Sequence, residues 1–244
     1  PTVFNINGDN IHVSANNSQY VGGLFGQATG SNCSITDSDV LGYRYVGGMY
    51  GQSYSRNVNN PRVRNTTVSA RSIGIGGIAG YSENINNGYF ANGHVIGTTT
   101  ESSNVGGIVG YGGWTISSST VVDSVIESKG DNVGGIKGKL TYANVSVVGV
   151  YNTTITGRNK VGGIIGTHEG TSNTLEYAVT NSVVTATGSF AGGMIGYVAN
   201  LNTTDQTYKI YIHHDLVEGG TVTASNYAGG LIGYAEKMLF NGDF

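Results

Sequence analysis

"SNVGGIVGYGG", residues 103–113, sets an apolar core among glycines that an ordinary helix or strand does not tolerate. The hexapeptide at its centre recurs as Val21-Gly-Gly-Leu-Phe-Gly, Val46-Gly-Gly-Met-Tyr-Gly, Ile75-Gly-Gly-Ile-Ala-Gly and Val133-Gly-Gly-Ile-Lys-Gly. It continues as Val161-Gly-Gly-Ile-Ile-Gly, Ala191-Gly-Gly-Met-Ile-Gly and Ala228-Gly-Gly-Leu-Ile-Gly. The glycine pairs are Gly22-Gly23, Gly47-Gly48, Gly76-Gly77, Gly106-Gly107, Gly134-Gly135, Gly162-Gly163, Gly192-Gly193 and Gly229-Gly230. Their first members are separated by 25, 29, 30, 28, 28, 30 and 37 residues. Self-similarity at such a spacing marks stacked repeats.

Helical repeats are excluded because each helix would hold three interior glycines, at about 1 kcal/mol apiece relative to alanine. Between the motifs lie short β-branched stretches such as "SITDSDV", "TVVDSVIES" and "YAVTNSVVTATG", bounded by Gly, Asn and Ser. These are strand signatures. Three short strands and three turns fill one interval, so the predicted fold is all-β. It is a β-solenoid, a parallel β-helix-like stack of about eight coils, in one domain over residues 1–244. The motif repeats run from 21 to 234. Residues 235–244, with Met238, Leu239 and Phe240, are expected to cap the last coil or to begin another.

The position after each glycine pair is Leu24, Met49, Ile78, Ile108, Ile136, Ile164, Met194 or Leu231, and is expected to face the interior. The next position holds Phe25, Tyr50, Ala79, Val109, Lys137, Ile165, Ile195 or Ile232. A slot accepting both Lys and Phe is expected to face outward. The glycine pairs are then corners, where backbone torsions closed to other residues are needed and no Cβ fits. The third glycine, Gly26 and its equivalents, is expected where neighbouring coils or the opposite wall approach closely.

Composition narrows the function. Glycine makes up 41 of 244 residues, prolines are only Pro1 and Pro61, charged residues are 11%, and the net charge is −3. Twelve scattered Lys and Arg offer no stripe for a phosphate backbone, which argues against nucleic acid. No apolar run approaches the ~20 residues of a membrane span, so no membrane insertion is expected. The start, Pro-Thr-Val, suggests a processed product or a fragment. The single Cys33 excludes an internal disulfide framework.

The repeated pattern resembles the GLUG motif, named for Gly-Leu-any-Gly. It stands here as Gly23-Leu24-Phe25-Gly26, Gly107-Ile108-Val109-Gly110 and Gly230-Leu231-Ile232-Gly233, and the resemblance covers residues 21–234. It implies a large bacterial surface protein, such as an adhesin or an immunoglobulin A1-cleaving metallopeptidase. In the latter such repeats look like an accessory region apart from the zinc domain. The chain departs from the peptidase pattern by having no His-Glu-x-x-His: His168-Glu169 continues Gly-Thr-Ser. Protease activity does not carry over.

The remaining candidates are side chains outside the motif. His213-His214-Asp215 invites a metal reading, but adjacent strand residues point to opposite faces, and a turn is preferred. Asp37 and Asp39 share a face if extended, and Asp9 and Asp131 sit in Gly-Asp-Asn stretches. Both arrangements lack the oxygens a calcium ion needs, and turn-forming Asp is the expected role. No metal, no cofactor and no catalytic residue is assigned. Sequons at Asn16, Asn32, Asn65, Asn144, Asn152 and Asn202 are read as turn caps and polar ladders. Thr rows such as "TVTAS" suggest ice binding, against which the uneven repeat length speaks.

Tyrosine is in excess, at 16 residues. Tyr81, Tyr111, Tyr197 and Tyr234 directly follow a third glycine, where other copies have Gln27, Gln52, Lys139 and Thr167. In register they form a partial ladder on one edge, either stiffening the rod or facing a ligand. The expected function is a non-catalytic module of a bacterial cell-surface or secreted protein, a stalk or adhesin whose partner is a glycan or host surface protein. Two rivals stand beside it: a polysaccharide-acting β-helical enzyme or accessory domain, and a filament subunit that self-associates end to end.

Overall fold

The computed structural model describes residues 2–112, 115–141, 144–169, 176–199 and 216–236. Among them every regular element is a strand, and the strands pair in parallel in three sheets of 12, 8 and 14 strands that wall a solenoid. One coil shows the path. Ala79–Asn86 runs along the first wall, Tyr89–Ala91 forms the second, and His94–Gly97 with Val105–Gly106 the third. The chain then bends at Gly107 and Ile108 and re-enters the first wall at Val109–Tyr111.

Inward rows run the length of the rod. Val63, Phe90, Val121 and Val150 stack on the second wall, and Val68, Val95, Ile126 and Ile155 on the third. Val58, Ile85, Ile116 and Val145 stack on the first. All twelve are at most 1% exposed. Each β-branched residue thus packs against its own equivalent one coil away, the arrangement that lets a thin core be stable.

The second wall has eight rungs, a rod roughly 40 Å long at the usual strand spacing. Six turns are enclosed. The aliphatic after the glycine pair is 0–1% exposed at Met49, Ile78, Ile108, Ile136, Ile164 and Met194. Leu24 is only partly buried and Leu231 is 45% exposed. Counting motifs therefore overstates the closed coils slightly, because among the described residues the first and last copies have a neighbouring coil on one side only.

Two expectations about the hexapeptide are corrected. None of the sixteen corner glycines has a positive φ; among the described residues the glycines that do are Gly74, Gly112 and Gly219. The left-handed torsions are carried by rows of other residues, such as Asn32, Asn60 and Asn87 at one corner and Asn65, Asn92, Asp123 and Asn152 at the next. Short side chains with a local hydrogen-bonding option tolerate that region. They also bond between coils: Asn87 Nδ2 donates to Asn60 Oδ1, and Asn60 Nδ2 to Asn32 Oδ1, each at 2.7 Å. The corner glycines are required for space. A Cβ at Gly47 would collide with the carbonyl oxygen of Tyr50, and one at Gly48 with that of Gly77 in the next coil.

The second correction concerns the slot after the aliphatic. Tyr50, Ala79, Val109, Lys137, Ile165 and Ile195 are all at most 1% exposed, so the slot faces inward. The bend falls on the second glycine and the aliphatic, which turns both that aliphatic and its successor into the core. Lys137 is therefore a buried lysine, and burial pulls its pKa down to about 7.

Candidate functional site

The tyrosines that follow the third glycine lie in one row of the first wall. Gln27, Gln52, Tyr81 and Tyr111 are consecutive in register, as are Lys139, Thr167, Tyr197 and Tyr234. A second row adjoins it across the glycine corner: the residue before each [Val/Ile/Ala]-Gly-Gly. There Tyr20, Tyr45, Asn104, Asn132, Lys160 and Phe190 occupy the left-handed region.

The two rows make two aromatic clusters separated by a polar centre. In the first, Tyr45 lies 5.2 Å from Tyr20, 5.9 Å from Tyr81 and 6.3 Å from Tyr111 between ring centroids. In the second, Phe190 lies 5.2 Å from Tyr197, 5.3 Å from Tyr227 and 5.1 Å from Tyr234. Between them Asn132 donates to Asn104 Oδ1 at 2.9 Å, and Thr167 Oγ1 donates to Asn132 Oδ1 at 2.7 Å. Lys139 pairs with Glu169 at 2.8 Å, and the Lys160 ammonium sits 4.3 Å from the Tyr197 ring centroid.

So the structure brings Tyr81 to Tyr111 (5.9 Å) and Tyr197 to Tyr234 (5.6 Å), but does not join the pairs into one strip. The rings meet partly face to face, as Tyr20 with Tyr45 and Tyr197 with Tyr234 do, and partly tilted or edge-on, as Tyr45 with Tyr81 and Tyr81 with Tyr111 do. Tyr81, Tyr111 and Tyr197 are half-buried, and Tyr234 is 37% exposed. Burial, with the hydrogen bond from Tyr197 to Glu236 as a second cause, pushes the Tyr197 hydroxyl up to about 12. The Tyr197 hydroxyl therefore stays neutral at ordinary pH. What the edge offers a partner is phenol oxygens and ring edges, with amides and two lysines between.

The other candidates disperse. Asp37 is a left-handed corner residue whose carboxylate accepts from Asn65 at 2.9 Å, whereas Asp39 meets His12 at 3.1 Å. They are not extended together and do not form a carboxylate pair. Asp9 accepts from Thr36 Oγ1 at 2.6 Å. Asp131 is bound by Arg158 at 2.8 Å and by Asn159 at 3.0 Å; these bonds hold its carboxyl low against the raising effect of burial. His94 faces Glu127 at 3.0 Å. His168 is buried with no hydrogen bond at either ring nitrogen, and burial draws its pKa down to about 4. His213, His214, Asp215, Trp114, Asn202, Met238, Leu239 and Phe240 lie outside the described residues. Among the described residues there is no group of three or more His, Cys, Asp or Glu side chains that could hold a metal ion. Among the described residues no helix is long and apolar enough to cross a membrane.

The Thr rows are regular where they occur. Thr154, Val183 and Thr221 are in register on the third wall, beside Thr156, Thr185 and Thr223. Upstream the same two rows hold Leu41 and Ile96, then Val125 and Glu127. This interruption adds to the uneven repeat length: the third wall carries no unbroken threonine lattice.

Sequence reading passed over the outer face of the second wall. Arg62 and Arg64 there flank the Tyr89 ring, their guanidinium carbons 5.4 and 4.8 Å from its centroid. The available signal was Arg-Val-Arg around an inward valine, one coil before an outward tyrosine.

No protein-family profile matches the chain, and no curated protein matches it. The GLUG resemblance thus rests on the repeated hexapeptide itself. A search of solved structures matches one described as "a putative immunoglobulin A1 protease from Bacteroides ovatus", at 15% identity and a TM-score of 0.39. The match takes in 94% of this chain, which spans 66% of that structure's length. At so low a superposition score the likeness carries no functional argument.

Proposed function

We propose that this chain is a non-catalytic display module, a rigid rod in a bacterial cell-surface or secreted protein that acts as a stalk or adhesin and presents its outer faces to a glycan or a host surface protein. The observation that supports this most is the unbroken register. The second wall stacks eight rungs, and after Gly8 in the first the inward side is Ile35, Phe90 or valine in every rung. The interior is spent on stiffness, and chemistry is left to side chains on the outside. Asp39, Glu127, Glu169 and Asp131 on that outside are each tied to a basic side chain one coil away. Hydrolysis of a glycoside by paired carboxylates needs two acids facing one cleft.

A glycan and surface-protein array, run beside a hydrolysis screen on the same glycans, tests the reading. Binding without turnover is expected. Turnover of any glycan would replace it with the polysaccharide-acting reading. End-to-end association is favoured by Phe4, 59% exposed in the first coil, and by Leu216 and Leu231, 48% and 45% exposed in the last. Uncovered strand edges invite pairing. Concentration-dependent lengthening in small-angle scattering would reveal it.

A further inference from the structure

The outer face of the second wall is one continuous track. Ser34, Arg62, Tyr89, Thr120, Gly149 and Ala178 follow one another in register, beside Thr36, Arg64, Ala91, Val122, Tyr151 and Thr180. The two arginines sit on the third rung, with Asp9 two rungs away in the row of Arg64. Arg64 is exposed and Arg62 partly so, and among the described residues no carboxylate pairs with either. Two guanidinium groups two residues apart on one strand face repel each other. They are left without a counter-ion in a chain that has more acids than bases, 15 to 12. Tyr89 holds them only through its ring.

Three rungs further on the wall has a flat aromatic platform. Gly149 lies where a side chain would strike the Tyr151 ring, so that ring lies down over the glycine. A shallow groove of about 390 Å³ opens there, lined by Thr120, Val148, Gly149, Tyr151, Glu176 and Tyr177 among others. Thr120 bridges the two. From Arg62 to Gly149 is three coil steps, or about 14 Å at the strand spacing. The arrangement combines unpartnered bidentate donors for a carboxylate or sulfate with an aromatic face for the apolar side of a sugar ring. Glu176, exposed in the groove, keeps a second acidic group from the Tyr151 end and sets the direction of binding.

We infer that this track is a binding site for an acidic oligosaccharide, its carboxylate or sulfate held by Arg62 and Arg64 and a neutral sugar ring laid on Tyr151. The inference rests on the display-module reading and moves the contact surface away from the tyrosine edge. The rings of that edge occupy one another, whereas the track has donors and a platform without partners.

The test is calorimetric titration of the whole chain with three hexasaccharides: a sulfated heparin fragment, a hyaluronan fragment carrying carboxylates alone, and neutral cellohexaose. Binding of at least one acidic probe, weakened by added salt, is expected, and the one preferred distinguishes sulfate from carboxylate. Arg62→Gln with Arg64→Gln should weaken it about tenfold or more, since each removes a charge-assisted bond. Gly149→Ala, which lifts the Tyr151 ring, should weaken it several-fold. Arg71→Gln, elsewhere on the rod, should leave it unchanged. Thermal melts of each variant show that the fold is kept.

Failure of both acidic probes to bind, or equal binding by the double arginine variant, overturns the inference. Neutral glycan bound equally by that variant overturns it too, while leaving the display module standing. Mass spectrometry of the probes separates the two claims the other way. Cleavage of a probe whose binding needs Arg62 and Arg64 would refute the non-catalytic reading and keep the site.

Discussion

Replacing Gly107 and Gly230 by alanine should have opposite outcomes, although both are second glycines of the same motif. At Gly107 an added Cβ would collide with the carbonyl oxygen of Gly135 in the next coil and come within 2.9 Å of Val121 Cγ2. To make room the coils must part where the amides of Gly107, Ile108 and Val109 donate to Gly135 and Ile136 at 3.0–3.1 Å. Losing three such bonds at about 0.5–1.5 kcal/mol each gives roughly 2–4 kcal/mol. For a domain of this size that is a fall in Tm of about 5–15 °C. At Gly230 nothing lies within 4 Å of the added Cβ and φ is not positive. Alanine there should be neutral or stabilising by about 0.4–1 kcal/mol, through the unfolded chain. Gly229→Ala should hurt, because its Cβ meets Ile232 of its own coil.

Urea unfolding followed by circular dichroism reads the Gly107 variant. Hydrogen exchange reads the last coil, through the Met194 and Ile195 amides that donate to Leu231 at 2.9 and 3.1 Å. Gly229→Ala should accelerate their exchange and Gly230→Ala should not. Equal destabilisation by Gly107→Ala and Gly230→Ala would mean that torsion or flexibility explains the motif, and the close-approach argument would be wrong.

Lys137 titrates near 7 in the fold against 10.5 ordinarily, so the unfolded chain holds the extra proton. Stability should rise between pH 7 and 10.5 by several kcal/mol, about 1.4 per pH unit, and Lys137→Met should abolish that rise and stabilise the protein at pH 7. His168, drawn down to about 4 by burial, should cost stability as pH falls from 6.5 to 4, with no further loss from this group below; His168→Leu should flatten that limb in acid denaturation curves. Tyr197→Ala removes ring contacts to Phe190 and Tyr234 and should destabilise by about 1–3 kcal/mol at 0.5–1.5 per pair, with affinity for acidic hexasaccharides unaltered in the same titration.

The solenoid is legible in the sequence because its interior repeats itself. Val63, Phe90, Val121 and Val150 are all apolar for one reason, each packing on its predecessor, and such rows survive as periodicity. The hexapeptide misled where one residue type serves two physical ends. Glycine suits both left-handed torsion and close approach, and only coordinates show that the corner pairs serve the second. The torsions lay in Asn32, Asn60 and Asn87, whose intervals of 28 and 27 residues were as regular as the glycines'. The slot of Tyr50, Ala79, Val109 and Lys137 read as outward from its mixed chemistry. A bend at the preceding residues reverses its direction, and a lysine can fill it by giving up its charge.

The outer faces resist reading for a different reason, and it bears on how function is sought in such chains. An outward side chain is not bound to match its equivalent, so outer rows leave no period; Ser34, Arg62, Tyr89 and Thr120 look unrelated until each is placed over the last. Contacts that matter there join residues one coil apart, and the local motifs by which sites are usually recognised cannot express them. Arg62 and Arg64 reach Tyr89 across 27 and 25 residues, and Asp131 reaches Arg158 across 27. Once the inward rows have set the coil length, writing the chain one coil per line turns those separations into neighbours. A charged pair with no carboxylate in ion-pair reach among the described residues then becomes visible as a binding feature, set against Asp131 with Arg158, Glu169 with Lys139 and Glu127 with His94, which meet across one coil step.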